Sequence, residues 1–193
     1  MTRVFLCGEG PNELGSRSGH PSYQTGETPG FIEASLEHVA PGRARVVGAV
    51  QWKYLPRLEV GGRANPYTGR AAAALQRARE GGAHLCLLVD ADGDARVEPW
   101  VRSAVAAVPD AAATVGVPAP KLEGWIVALL GDKRTEAMSP ARADARLAEH
   151  GVKPKDTEAF VEAVANCDPA TLPPDAAGLR RWFAELGDAL GAG

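Results

Sequence analysis

Hydrophobic positions along this chain follow two alternating rhythms, and each predicts a different element. Val4-Phe5-Leu6-Cys7 is apolar without interruption and stops at Gly8-Glu9-Gly10-Pro11, the profile of a buried strand closed by turn residues. Arg45 to Trp52 is a second strand segment. Ala83 to Val89 is apolar except for His84, and Ala113 to Val117 adds a short fourth run bounded by Pro118-Ala119-Pro120. Between these runs, Phe31, Ile32, Ser35, Leu36 and Val39 have helical spacing, ended by Pro41-Gly42. Arg70 to Glu80 is Ala-rich and periodic and ends in Gly81-Gly82, Val97 to Val108 is amphipathic, and Leu122 to Leu130 begins another helix. Strands that are apolar on both faces and alternate with helices predict an α/β fold: a four-stranded, mainly parallel sheet with helices on both faces.

Beyond Gly131 the pattern is only helical, over Pro140–His150, Thr157–Ala165 and Ala177–Leu190, with proline-rich breaks between Asp168 and Asp175. The expected organisation is an α/β domain over residues 1–131 and a C-terminal helical extension, 132–193, packed on it. Two polar stretches, Leu14–Gly30 and Tyr54–Gly69, lack apolar periodicity and read as loops; structureless loops of that length are commonly functional.

The chain has 193 residues, 45% of them hydrophobic and 23% charged, enough apolar material for one packed core. Its three cysteines, Cys7, Cys86 and Cys167, are widely spaced with no CxxC pair and no neighbouring histidine. That argues against a disulfide framework and against zinc. No signal peptide precedes the first strand and no apolar run reaches membrane-spanning length, so the expectation is a soluble, cytoplasmic protein without a membrane partner. A net charge of −3 gives no bulk attraction to nucleic acid. The distribution is uneven, however. From Pro41 to Arg79 the basic residues are Arg43, Arg45, Lys53, Arg57, Arg63, Arg70, Arg77 and Arg79, against the single acid Glu59. Such a segment is either a solvated face or a phosphate-binding surface.

In an open parallel sheet the functional site lies beyond the carboxyl ends of the strands. Three acidic groups fall at that edge: Glu9 and Glu13 after the first strand, Asp90, Asp92 and Asp94 after the third, and Glu123 beside Lys121 after the fourth. Carboxylates converging in a partly dehydrated cleft repel one another, and a divalent cation removes the repulsion. Oxygen ligands select Mg²⁺ or Mn²⁺, and such an ion serves phosphoryl or phosphodiester chemistry. A calcium loop starting at Asp90 fails, because its twelfth position is Val101 where a bidentate Glu is required. A haloacid-dehalogenase-type phosphatase would place its DxD after the first strand, and here it follows the third.

Taken together, the apolar strand followed by Glu9-Gly10-x-x-Glu13, and the later apolar strand followed by Asp90-x-Asp92, resemble the Toprim fold of topoisomerases, primases and OLD-type nucleases. Lys121-Leu122-Glu123-Gly124-Trp125 looks like the Glu-x-Trp motif of a bacterial Toprim-like family often encoded beside ABC- or AAA-type ATPases in anti-phage loci. The resemblance spans about Arg3 to Leu130. It implies Glu9 as general acid/base or metal ligand, Asp90 and Asp92 as Mg²⁺ (or Mn²⁺) ligands, Glu13 and Glu123 as second-metal or supporting carboxylates, and Lys121 as a phosphate-facing cation. Asn12 stands where these families often carry Thr, and Gly15 interrupts the helix expected after Glu13.

Three functions fit. The first is a Mg²⁺-dependent nuclease or phosphodiester hydrolase acting on DNA or tRNA, with Lys53, Arg57, Arg63 and Arg70 holding the substrate backbone. The second is a non-catalytic binding or regulatory subunit of an ABC/AAA-type ATPase complex. The third is a small-molecule phosphatase using the same carboxylates. Among the aromatic residues, Trp125 lies on the apolar stripe of its helix and Trp52 reads as packing, whereas Tyr54 and Tyr67 flank the basic loop and could stack bases. His20, near Arg17 and Tyr23, is a loop histidine, and His84 reads as a locally hydrogen-bonded core residue.

Overall fold

The computed structural model describes residues 1–19, 28–59 and 65–191. His20, Tyr23 and Arg63 lie outside them. Four strands form one all-parallel sheet in the order β2-β1-β3-β4: β1 Thr2–Gly8, β2 Ala44–Gln51, β3 His84–Leu88 and β4 Ala113–Gly116. Alternate side chains of each strand enter opposite layers, as the pleat requires. Val4, Leu6, Cys86 and Leu88 pack with Phe31, Ile32 and Leu36 of α2 (Phe31–Val39) and Trp125 and Ile126 of α5 (Leu122–Leu129). Cys7, Leu85, Leu87 and Val115 face the other way, onto α3 (Pro66–Glu80) and α4 (Val97–Ala106). The α/β architecture expected from the hydrophobic pattern is the one observed. Cys7 and Cys86 are buried in it, and burial pushes the Cys86 thiol up to about 12.

The segment after Gly131 forms α6 (Pro140–Glu149), α7 (Thr157–Asn166) and α8 (Ala177–Leu190). Their residues Leu147, Phe160, Val164, Leu179, Trp182 and Leu186 belong to the same core cluster as Val4, Leu6 and Leu88. α8 also seals the free edge of β4. The Arg102 guanidinium donates to the Val115 carbonyl at 2.9 Å, the Val115 N–H donates to Glu185 at 3.4 Å, and Arg102 and Glu185 pair at 2.9 Å. Side chains thereby take up edge groups that another chain would otherwise pair with. His84 is half-buried and bonded to the Thr114 hydroxyl at 2.9 Å, a local partner as expected.

Two loop readings need correction. α3 begins at Pro66, four residues before the Ala-rich stretch, because Asn65 caps it: its side chain accepts from the Tyr67 and Thr68 amides at 2.9 and 3.3 Å. Pro66 at the first helical position loses no hydrogen bond there. Tyr67 and Gly69 are therefore helical. A single helical turn, α1 (Pro11–Leu14), leads into the first loop, which opens with a 3-10 turn at Gly15–Ser18.

Trp182 is fully buried, with its ring centroid 6.4 Å from that of Trp125 under the sheet. Trp182→Ala is expected to cost about 3–5 kcal/mol of global stability, read as a fall in urea midpoint with one cooperative transition. A loss below about 1 kcal/mol would show that α8 contributes little to the core.

Candidate carboxylate site

Chain order reverses between β1 and β3: β2 lies on the far side of β1, and β4 on the far side of β3. A crevice opens at the carboxyl ends of an open parallel sheet where this happens. Glu9 directly follows β1 and Asp90 lies two residues beyond β3. The Asp90 N–H donates to Glu9 Oε1 at 3.3 Å, so residues far apart in sequence meet where the strand order reverses.

Three of these acids, Glu9, Glu13 and Asp90, are held by backbone amides. The Gly10 N–H donates to Glu13 Oε2 at 2.7 Å, folding Glu13 back over the start of α1, where it is only 6% exposed. Two glycines permit this. A Cβ on Gly15 would come within 2.1 Å of the Thr28 carbonyl oxygen, and one on Gly30 within 2.4 Å of the Glu13 carbonyl oxygen. Gly15 also takes a positive φ of 56°, which L side chains disfavour. Asp90 Oδ1 accepts from the Leu122 N–H at 2.9 Å, so a residue just beyond β3 holds the first turn of α5. The register that brings α5 there continues past the sheet, through Ala91 N–H to Pro118 carbonyl at 3.0 Å and Gly93 N–H to Pro120 carbonyl at 3.3 Å. In the first turn of α5 Glu123 is buried as well.

The electrostatic result is crowding. Burial pushes the Asp90 carboxyl up to about 9, with the charges of Glu13, Glu9 and Glu123 adding to it and the Leu122 amide opposing. Glu13 is raised to about 7, again by burial first and by Glu9 and Glu123 after it. Glu9 is raised by burial and by Asp92, against the Asp90 amide and Arg70. Glu9, Glu13, Asp90 and Glu123 thus form one coupled group, with Asp92 joined to it through Glu9.

Asp92 itself is exposed, in a left-handed turn at φ 48°, and shares no backbone anchor with Asp90. Asp94 is engaged by Arg96 at 2.8 Å, whose hydrogen bonds hold its carboxyl down near 2. The Lys121 ammonium is 2.7 Å from Asp144 and 3.7 Å from Glu123. Of the four cations expected to hold substrate, Arg70 comes to the acids: it lowers the Glu9 value, lies over the Trp52 ring at 5.9 Å, and has a buried Nε without a partner among the described residues. Lys53 and Arg57 are exposed beyond β2, Lys53 over the Tyr54 ring at 5.0 Å.

Trp52 and Trp125 are both buried, as expected of packing residues. Tyr67 lies against Trp52 and Trp100, with centroids 6.2 and 6.0 Å away, and feels the charges of Asp92, Glu9 and Asp94. Reasoning from sequence missed Trp100 and Asp144, which carry no local signal. Tyr67 had one, the Asn65-Pro66 helix start.

Among the described residues, no group of three or more His, Cys, Asp or Glu side chains is arranged to hold a metal ion as it stands. A cavity of about 670 Å³ lined by His38, Phe183 and Arg180 shares no residue with the carboxylate site. Comparison with protein-family models, with curated proteins and with solved structures gives no match. No described helix is long and apolar enough to cross a membrane.

Asp90 and Glu13 have folded-state values above their ordinary 3.8 and 4.5, so the folded chain binds protons that the unfolded chain has released. Their contribution to stability is complete below about pH 4 and is lost as pH rises through about 7 and about 9. The metal-free protein is therefore expected to lose melting temperature steadily between about pH 5 and pH 9, and Asp90→Asn to flatten that slope. A parent profile that is flat over this range would contradict the crowding.

Proposed function

We propose that this chain is a Mg²⁺-dependent, Toprim-type phosphodiester hydrolase acting on nucleic acid, working with an ABC- or AAA-type ATPase in anti-phage defence. The observation that carries the reading is the convergence of Glu9, Glu13, Asp90 and Glu123 where strand order reverses, with Asp90 pushed up to about 9. A chain gains no stability from crowding mutually repelling carboxylates, so the cluster argues for a ligand that needs them. The motif resemblance supplies the family and the ATPase partner.

The donor set suits a hard dication. Every candidate ligand is a carboxylate oxygen, and Glu9 and Asp90 each anchor one oxygen on a backbone amide, which leaves the second without a protein partner among the described residues. Glu9 and Asp90 would hold the ion, with Glu13 and Glu123 behind them and Asp92 at the exposed rim. When bound, Mg²⁺ supplies charge neutralisation at phosphate oxygens and a more acidic water.

The remaining work falls to side chains of the chain itself. Glu9, beside the position the ion would occupy and with one oxygen on the Asp90 amide, would take a proton from an attacking water and return it to the leaving oxygen. Arg70, whose guanidinium lies over the Trp52 ring and near enough to Glu9 to lower its value, would hold a phosphate oxygen and orient the diester. Lys53 and Arg57 extend a cationic track outward that would position a backbone without reading sequence. Tyr54, 67% exposed, offers a ring on which a base could stack.

Purified protein supplied with Mg²⁺ or Mn²⁺ is expected to cleave DNA or tRNA, and Glu9→Gln and Asp90→Asn to lose roughly 10²–10⁴-fold in rate while retaining the parent circular dichroism. Variants that cut as fast as the parent would overturn the assigned roles. Hydrolysis confined to a small phosphomonoester would reassign the substrate to a small molecule.

A further inference from the structure

We propose that Asp144, contributed by α6, is a positioning residue that draws the Lys121 ammonium away from the buried carboxylates and so keeps them open to a dication. The inference rests on the metal-binding reading above and adds a role for the C-terminal helices in it.

Lys121 is the N-cap residue of α5, next to the Leu122 amide that Asp90 grips, so its stem is fixed at the edge of the acidic group. Its side chain is 19% exposed and has two carboxylates in reach, Asp144 at 2.7 Å and Glu123 at 3.7 Å. The shorter contact is the hydrogen bond, and it points the ammonium at α6. The helix that carries Asp144 is packed in place. Its residues Ala143 and Leu147 are fully buried, and Arg146 and His150 both bind Asp132 at the end of α5, at 2.6 and 3.2 Å. α6 is thereby clamped to α5, with Asp144 opposite Lys121.

Without Asp144, the acids left to the ammonium are those of the cluster itself, Glu123 first and Asp90 behind it. A monocation seated there relieves the same repulsion that a dication would relieve, and the two compete. Asp144 thus acts through Lys121 and touches neither metal nor substrate.

The test is Mn²⁺ titration calorimetry on the full chain as parent, Asp144→Asn, Asp144→Ala, Lys121→Met and the Asp144→Ala/Lys121→Met double variant, with urea midpoints confirming that each is folded. Asp144→Ala is expected to weaken Mn²⁺ binding about tenfold, the size typical of losing an outer partner of a metal site, with Asp144→Asn weakened in the same direction. Lys121→Met and the double variant are expected to bind at least as tightly as the parent, because the competing ammonium is gone. Unchanged binding in Asp144→Ala overturns the proposal, and so does a double variant as weak as Asp144→Ala, which would trace the loss to α6 itself. A parent that binds no Mn²⁺ overturns the metal reading and this inference together, whereas a binding parent with an indifferent Asp144→Ala overturns this inference alone.

Discussion

Mutual repulsion among Glu9, Glu13, Asp90 and Glu123 is the constraint around which the rest of the molecule is arranged. Four carboxyl groups delivered to one partly dehydrated crevice cannot all be ionised without a counter-charge. In the metal-free chain, protons and the nearby Arg70 cation meet part of that demand, while Asp144 holds the Lys121 ammonium at the rim. The cost is borne by the surrounding packing, chiefly the two apolar layers on either face of the sheet.

The fold makes the crowding reproducible by anchoring acids on main chain. Gly10, Asp90 and Leu122 each give an amide hydrogen to a cluster carboxylate, so the positions of those acids follow from strand register and helix starts. Pairing between 91–93 and 118–120 carries the β3–β4 register past the last strand residues and brings Lys121 and Glu123 to the same rim. The C-terminal helices complete this frame. α8 closes the β4 edge through Glu185, which pairs with Arg102 of α4, and α6 supplies the Asp144 partner of Lys121.

Much of this was legible in sequence, for identifiable reasons. The strands are mainly apolar runs closed by turn residues, so their ends, and with them Glu9 and Asp90, could be placed within a residue or two. Glu13 was harder to read because its inward turn depends on backbone contact between Gly15 and Gly30, a tertiary event that looks like loop composition in one dimension. Asn65-Pro66 reads equally as a turn and as a helix cap, and the loop reading hid the fact that Tyr67 and Arg70 lie one turn apart on α3. The DxD spacing suggested that Asp90 and Asp92 act alike, whereas the left-handed backbone at Asp92 leaves it exposed and coupled to Glu9. Asp144 could not be found at all, since its meaning comes only from how α6 docks on α5.

The most direct examination of the central claim is a crystal of the protein soaked in Mn²⁺, with anomalous scattering used to locate the ion. The account predicts one strong peak in the crevice between β1 and β3, bonded to carboxylate oxygens of Glu9 and Asp90. Carboxylates left apart with the peak absent, or an ion bound only at remote surface acids, would contradict it.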